Sequence, residues 1–259
     1  MRKTMATGCS PVTHRLPARP LLVLLLGGAL LAASPAAAQE SDRDFALTVY
    51  LQQAFPKQTT TNAQIEQINT QFGTAFDTWD DIANLSLGVQ FLTKVSAYWQ
   101  VGIEWDYSRG GLDGKGTVPT EAGPARLKFS QHYSIYTDLL AAAHFLPCRT
   151  CAKVVPFVLL AGGFGYERDT TRLTLRNDYV DQWLKVDNDG FFPVWTTGIG
   201  ADIGLDRTGG TYLEVGGAYY WGRLDHKAKA EGPLAPASRI RADNDTTGPN
   251  YWLGVGWRF

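Results

Sequence analysis

The chain has 259 residues, of which 44% are hydrophobic, 12% aromatic and 19% charged, with 27 glycines and 13 prolines. That composition excludes a disordered or low-complexity chain. The formal charge of −1 hides an asymmetry: positions 1–38 hold Arg2, Lys3, Arg15 and Arg19 and no acid, leaving 20 basic against 25 acidic residues beyond them. A net acidic remainder without a basic run speaks against nucleic acid as partner. Only Cys148 and Cys151 follow position 38, which excludes a disulfide-dense scaffold.

Leu21 to Ala33 is an apolar run preceded by Arg15 and Arg19 and followed by Ser34-Pro35-Ala36-Ala37-Ala38. A basic flank, a short apolar stretch and an Ala-x-Ala site predict a secretory signal peptide over 1–38, with the exported domain at 39–259. The run falls short of the roughly 20 apolar residues of a spanning helix.

From Phe45 onward the pattern has a period of two, and it predicts eight strands. Phe45, Leu47, Val49, Leu51 and Phe55 share one face of the first, and Leu85, Leu87, Val89 and Phe91 one face of the second. The third opposes Trp99, Val101, Ile103, Trp105 and Tyr107 to Gln100, Gly102, Glu104 and Asp106. In the fourth, Phe129, Tyr133, Ile135, Leu139 and Ala141 are read as alternating with Lys128, Ser130, His132, Ser134, Tyr136 and Asp138. The fifth, Val154 to Tyr166, is rich in glycine. The sixth sets Trp195, Thr197 and Ile199 against Thr196, Gly198, Gly200 and Asp202, and the seventh sets Leu213, Val215 and Trp221 against Tyr212, Glu214 and Gly216. The last places Tyr251, Leu253, Val255, Trp257 and Phe259 opposite Trp252, Gly254, Gly256 and Arg258.

Short connections follow strands two, four and six, and connections of about 15 to 25 residues follow the others, an asymmetry expected of a bacterial outer-membrane barrel. A lipocalin-like barrel or a soluble sandwich would instead bury the apolar face. The other face decides: rows of glycine beside Glu104, Asp106, Asp138, Asp202, Glu214 and Arg258 suit a narrow lumen better than a solvated surface. The expected fold is therefore all-β, an eight-stranded antiparallel up-and-down transmembrane β-barrel.

With that pattern, the segment Val155-Pro-Phe-Val-Leu-Leu-Ala-Gly-Gly-Phe-Gly-Tyr166 and the ending Tyr251-Trp-Leu-Gly-Val-Gly-Trp-Arg-Phe259, the chain resembles the small OmpA-type, opacity-like and OmpW-like outer-membrane barrels. The resemblance implies location in the outer membrane of a Gram-negative bacterium, among outer-membrane lipids and lipopolysaccharide. It also implies that Tyr251, Leu253, Val255, Trp257 and Phe259 form the signal read by the outer-membrane assembly machinery. No periplasmic domain follows, so cell-wall anchoring through one is not expected.

Glu104, Asp106, Lys128, His132, Asp138, Asp202, Glu214 and Arg258 are expected to form a polar network that plugs the lumen, since an eight-stranded barrel is nearly filled by side chains. His132-Tyr133-Ser134 is similar to the His-x-Ser of outer-membrane lipid A deacylases; read as lumen residues, these side chains are out of a lipid ester's reach. Cys148 and Cys151 are expected to staple their turn as a disulfide. Thr61-Asn-Ala-Gln64 reads as a capping box, with Ile65, Ile68, Phe72 and Phe76 at helical spacing, so the first long loop is expected to hold a short amphipathic helix on the rim or over the mouth. Asp187-Asn-Asp-Gly190 and Asp243-Asn-Asp245 lack full calcium-loop spacing and are read as turns. The expectation is a non-enzymatic barrel for envelope integrity or surface interaction, its acidic loops exposed, with no cofactor or metal and an unnamed surface ligand. The alternatives are a narrow transporter of small apolar molecules and a lipid A hydrolase.

Overall fold

The computed structural model describes residues 44–79, 84–148, 151, 153–207, 209–235 and 238–259; the leader expected over 1–38 lies outside them. Among the described residues, nine antiparallel strands and one helix follow in order: β1 (Phe45–Ala54), α1 (Thr59–Phe72), β2 (Asn84–Lys94), β3 (Trp99–Thr120), β4 (Gly123–Phe145), β5 (Val154–Arg176), β6 (Asp181–Gly204), β7 (Thr211–Glu231), β8 (Arg239–Asp245) and β9 (Gly248–Arg258). Each strand pairs with its sequence neighbour from β1 to β8, apart from the β8–β9 step, and β1 also pairs with β9. Strands β8 and β9 lie end to end along β7, so the ring closes with eight staves. At the turn end, Phe45 N and Phe259 N each donate to the other residue's carbonyl, at 3.1 and 3.0 Å.

The outward face over the turn-end half is apolar. Phe164, Trp195 and Ile199 are 67%, 64% and 62% exposed, and Ile103, Leu139 and Leu253 are also exposed. An exposed apolar band this continuous has no place in water. Aromatic rings bound it: Phe45, Phe91, Trp99, Phe145 and Phe259 at the turn end, and Tyr107, Tyr166, Phe191 and Trp221 where the band ends on the loop side. The fold is a transmembrane β-barrel, as the alternation predicts.

Beyond the band the expected long loops after the third, fifth and seventh strands are instead continuations of the strands. β3 to β7 run for 21 to 24 residues, whereas about ten suffice to cross the apolar band. The outward apolar residues stop at the lipid boundary, and past it the pattern inverts. Leu112, Val118, Leu127, Phe129 and Leu224 turn inward, while Lys115, Arg126, Lys128, Arg172 and Asp225 turn outward. Asp187-Asn-Asp-Gly190 accordingly lies within β6 and Asp243-Asn-Asp245 within β8, not in turns.

One irregularity resets a strand. The β4 ladder slips at Ser134 against both neighbours: Tyr136 faces Ser108 but Tyr133 faces Gly110, and Ile135 faces Arg168 while Tyr133 faces Asp169. This bulge changes parity, so even-numbered residues point inward below it and odd-numbered ones above it.

Helix α1 sits inside the loop-end wall. Fully buried Ile65 packs with Phe76, Trp79, Leu112, Val118, Leu127, Phe129 and Tyr133, and Ile68 and Phe72 lie against the same cluster. Burying a side chain such as Ile65 contributes roughly 1.5–3 kcal/mol. The expected capping box is not formed. Lys57 N and Gln58 N still bond Thr247 O and Asp245 O in ladder fashion, so the chain turns into the helix only at Gln58, with φ 43° and no side-chain cap. Gly73, at φ 62°, ends the helix. Asn62 and Asn69 then strap the returning segment: Trp79 N donates to Asn62 Oδ1 and Phe76 N to Asn69 Oδ1, both at 2.8 Å.

Candidate functional site in the barrel lumen

The inward face of the membrane-spanning half is built from aromatic rings laid over glycines and from polar groups between them. A Cβ on Gly256 would meet the Tyr212 ring, one on Gly216 the Trp252 ring, and one on Gly200 the Phe157 ring. The glycine rows in the sequence are thus the floor on which the plug lies.

Glu104, Asp106, Asp138, Asp202 and Glu214 are all buried in this interior, and Arg258 reaches it from the turn end. There the Arg258 guanidinium donates to Asp202 Oδ2 and covers the Tyr212 ring at 4.4 Å. Tyr212 OH lies 2.8 Å from Thr48 Oγ1, which donates to Glu214 Oε2 at 3.0 Å, and Trp252 Nε1 donates to Glu214 Oε1 at 2.8 Å. A second group holds Glu104, which accepts from Gln90 Nε2 at 2.8 Å; the same amide lies 3.3 Å from His144, whose ring stacks on Phe157 at 4.0 Å. A third has Asp106 opposite Asp138, with Tyr220 OH donating to Asp138 Oδ2 at 3.2 Å and Tyr136 OH 2.7 Å from Tyr220 OH. Burial demands such pairing.

Lys128 and His132 do not belong to this network. The Ser134 bulge turns both outward on the loop-end wall, where Lys128 faces Lys115 and His132 Nε2 lies 3.2 Å from Asp113 Oδ1. Ser134 is outward too, so its side chain is not sealed in the lumen. Its hydroxyl donates to the Arg168 carbonyl at 3.0 Å rather than to His132, so the His-x-Ser pair is not assembled as nucleophile and base. The network members that the sequence reading passed over, among them Thr48, Gln90, His144, Tyr212 and Trp252, lie on the face of their strands opposite the outward apolar residues. Parity was the signal available for them.

A further buried polar group lies past the lipid boundary. Glu167 and Asp169 are buried, Asn188 Nδ2 donates to Asp169 Oδ2 at 3.2 Å, and Trp79 Nε1 donates to Gln131 Oε1 at 2.7 Å. Burial pushes the Asp169 carboxyl above its ordinary value, against the opposing hydrogen bonds from its neighbours. On the outer wall, the Arg241 guanidinium holds Asp225 below the ordinary carboxylate value. Cys148 and Cys151 are joined as a disulfide in the turn before β5. Tyr251, Leu253, Val255 and Trp257 lie on the outward face of β9, and Phe259, the residue after it, is exposed as well. Among the described residues no three His, Cys, Asp or Glu side chains converge as a metal-binding group.

Among the described residues, two cavities lie in the interior. One of about 50 Å³ lies beneath α1 and includes Gln58, Asp106, Asp138 and Asn250 in its lining, and one of about 10 Å³ lies deeper, beside Glu104, Glu214 and Trp252.

No protein-family model and no curated protein matches the sequence. Among solved structures, the chain is similar to small outer-membrane β-barrels. The outer membrane protein OprG from Pseudomonas aeruginosa aligns at 16% identity over 85% of this chain and 97% of that one, with a TM-score of 0.42. Ail, the attachment invasion locus protein of Yersinia pestis, aligns at 12% identity over 84% and 99%, with a TM-score of 0.37. The outer membrane protease OmpT from Escherichia coli aligns at 9% identity over 86% and 99%, also with a TM-score of 0.37. This is a likeness of fold; the membrane assignment rests on the exposed apolar band of the chain itself.

Proposed function

We propose that this chain is an outer-membrane barrel with a sealed lumen that acts through its outer surface, in envelope integrity or surface interaction, and is neither a general pore nor a hydrolase. The observation that carries this reading is the filled interior. Cavities of about 50 and 10 Å³ hold a few waters beneath a helix packed into the mouth. The long hairpins then form a wall standing in the extracellular medium. On β3–β5 this wall is basic rather than acidic: Lys115 faces Lys128 and Arg126 faces Arg176 in direct register, with Arg109, Arg168 and Arg172 on the same outer face. Like charges set opposite one another repel, and lipopolysaccharide phosphates would relieve that repulsion. The outward residues of β9 ending at Phe259 are the proposed contact with the assembly machinery.

The test is conductance of the refolded barrel in a planar bilayer. Leakage at background level is expected; a wide, stable channel from the wild-type protein would overturn the sealed reading. One observation favours the narrow transporter as a second reading. The β6–β7 ladder pairs Asp187 with Lys229 and Val194 with Gly222 in one register, but 188–193 and 223–228 are unpaired between them. Phe192 and Leu224 are buried beside this seam, near the outer lipid boundary. Uptake of a small alkane by proteoliposomes, abolished by a disulfide across the seam, would select that reading.

A further inference from the structure

The cavity beneath α1 has an unusual balance of polar atoms. Gln58, Asp106, Asp138 and Asn250 all line it, and each keeps a buried side-chain oxygen without a hydrogen-bond partner. All four residues are more than nine-tenths buried. They come from different parts of the ring: the entry to α1, then β3, β4 and β9. Every one of these atoms is an acceptor. Buried acceptors left unsatisfied are destabilising, so four around one space ask for a shared donor or a cation. No Lys, Arg or His lines the cavity, and Arg258 is engaged with Asp202 at the turn end.

We propose that this cavity binds one partly hydrated divalent cation of the calcium type, through the carboxylates of Asp106 and Asp138 and the side-chain carbonyls of Gln58 and Asn250. The donors are hard oxygens of two kinds, carboxylate and amide, which calcium accepts in flexible sets of six to eight together with waters, whereas magnesium demands a stricter octahedron and gives up its waters reluctantly. Asp106 and Asp138 are direct partners across the β3–β4 ladder, so two carboxyl groups meet at one point of the wall, and a doubly charged cation between them would hold both as carboxylates. The hydroxyls of Ser86 and Ser108 also line the cavity, and a volume of about 50 Å³ leaves room for roughly three to five water-sized groups. Only two carboxylates take part, so water completes the shell. Gln58 gives the site a consequence: it is the residue at which the chain turns into α1, and its Nε2 donates to Tyr133 OH on β4. The ion therefore ties the helical plug to the barrel wall.

The experiment uses the full refolded barrel in detergent, stripped with chelator, in separate calorimetric titrations with calcium, magnesium and sodium chloride. Terbium luminescence sensitised by Tyr133, Tyr136 and Tyr220, which line the cavity, gives an independent readout. A single calcium per chain is expected, bound more tightly than magnesium and not matched by sodium, with a rise in the thermal midpoint. Asp106→Asn with Asp138→Asn should weaken binding by about tenfold or more. Asn250→Ala, which leaves both carboxylates in place, should weaken it to a smaller extent and serves if the double variant does not fold. Absence of calcium heat and terbium signal in the folded wild type would overturn the site, as would an equal response to sodium or an unchanged affinity in Asn250→Ala. The result does not depend on whether the barrel conducts.

Discussion

At the scale of single residues, the interior is defined by what each charge touches. Arg258 is the cation of the turn-end network, and its removal leaves Asp202 buried without its partner. Breaking a buried pair from one side costs about 3–5 kcal/mol, so Arg258→Ala should lower the thermal midpoint in detergent markedly without opening a conductance. Arg258→Met with Asp202→Leu should recover most of the loss, because it removes both charges. Asp169 behaves in the opposite sense. Its carboxyl is raised by burial, so the stability it contributes is complete below the ordinary carboxylate value and is lost as pH rises through the raised one. Unfolding midpoints measured across that range should fall with pH in the wild type, and Asp169→Asn should flatten this part of the profile. A steeper fall in the variant would contradict the burial account.

At the scale of elements, the Ser134 bulge separates what the sequence makes legible from what it conceals. The eight staves, their outward apolar faces and the five lumen acids follow from alternation alone. Lys128 and His132 were misplaced because a two-residue period cannot register one extra residue. Helix α1 was legible through Ile65, Ile68, Phe72 and Phe76, but its start was not, because ladder bonds from Lys57 and Gln58 to the β8–β9 connection override the local capping signal. The strand extensions were concealed for another reason: their charged outward faces look like loop composition. A deletion tests the bulge directly. Without Ser134, Tyr133 would follow Ile135 in unbroken alternation and still point inward, so both ladders of β4 could run through in a single register. Deletion of Ser134 should therefore fold and keep its heat-modifiable migration on gels. Deletion of Leu140, within the regular part of the strand, would swing everything on one side of it to the wrong face and should abolish that migration.

At the scale of the whole molecule, one chain carries two opposite solubility patterns on a continuous sheet. Below the bulge the barrel is greasy outside and holds aromatic rings and buried acids inside; above it, the outer face is charged and an apolar cluster packs inside around α1. Each half obeys its own solvent, hydrocarbon in one case and water in the other, and the change of pattern marks the lipid boundary on the loop side. The outer face of β4 crosses that boundary, with Leu139 exposed in the apolar band and Ser130 on the charged wall beside Asp113 and Arg172. An arginine on the lipid face near the bilayer midplane costs about 2–4 kcal/mol, whereas a surface substitution in water stays within roughly 0.5 kcal/mol. In urea titrations of the barrel folded into lipid vesicles, Leu139→Arg should be strongly destabilising and Ser130→Arg nearly silent. Equal effects at the two positions would mean that both face the same solvent, and a barrel that meets only one solvent cannot have its boundary at Ser134.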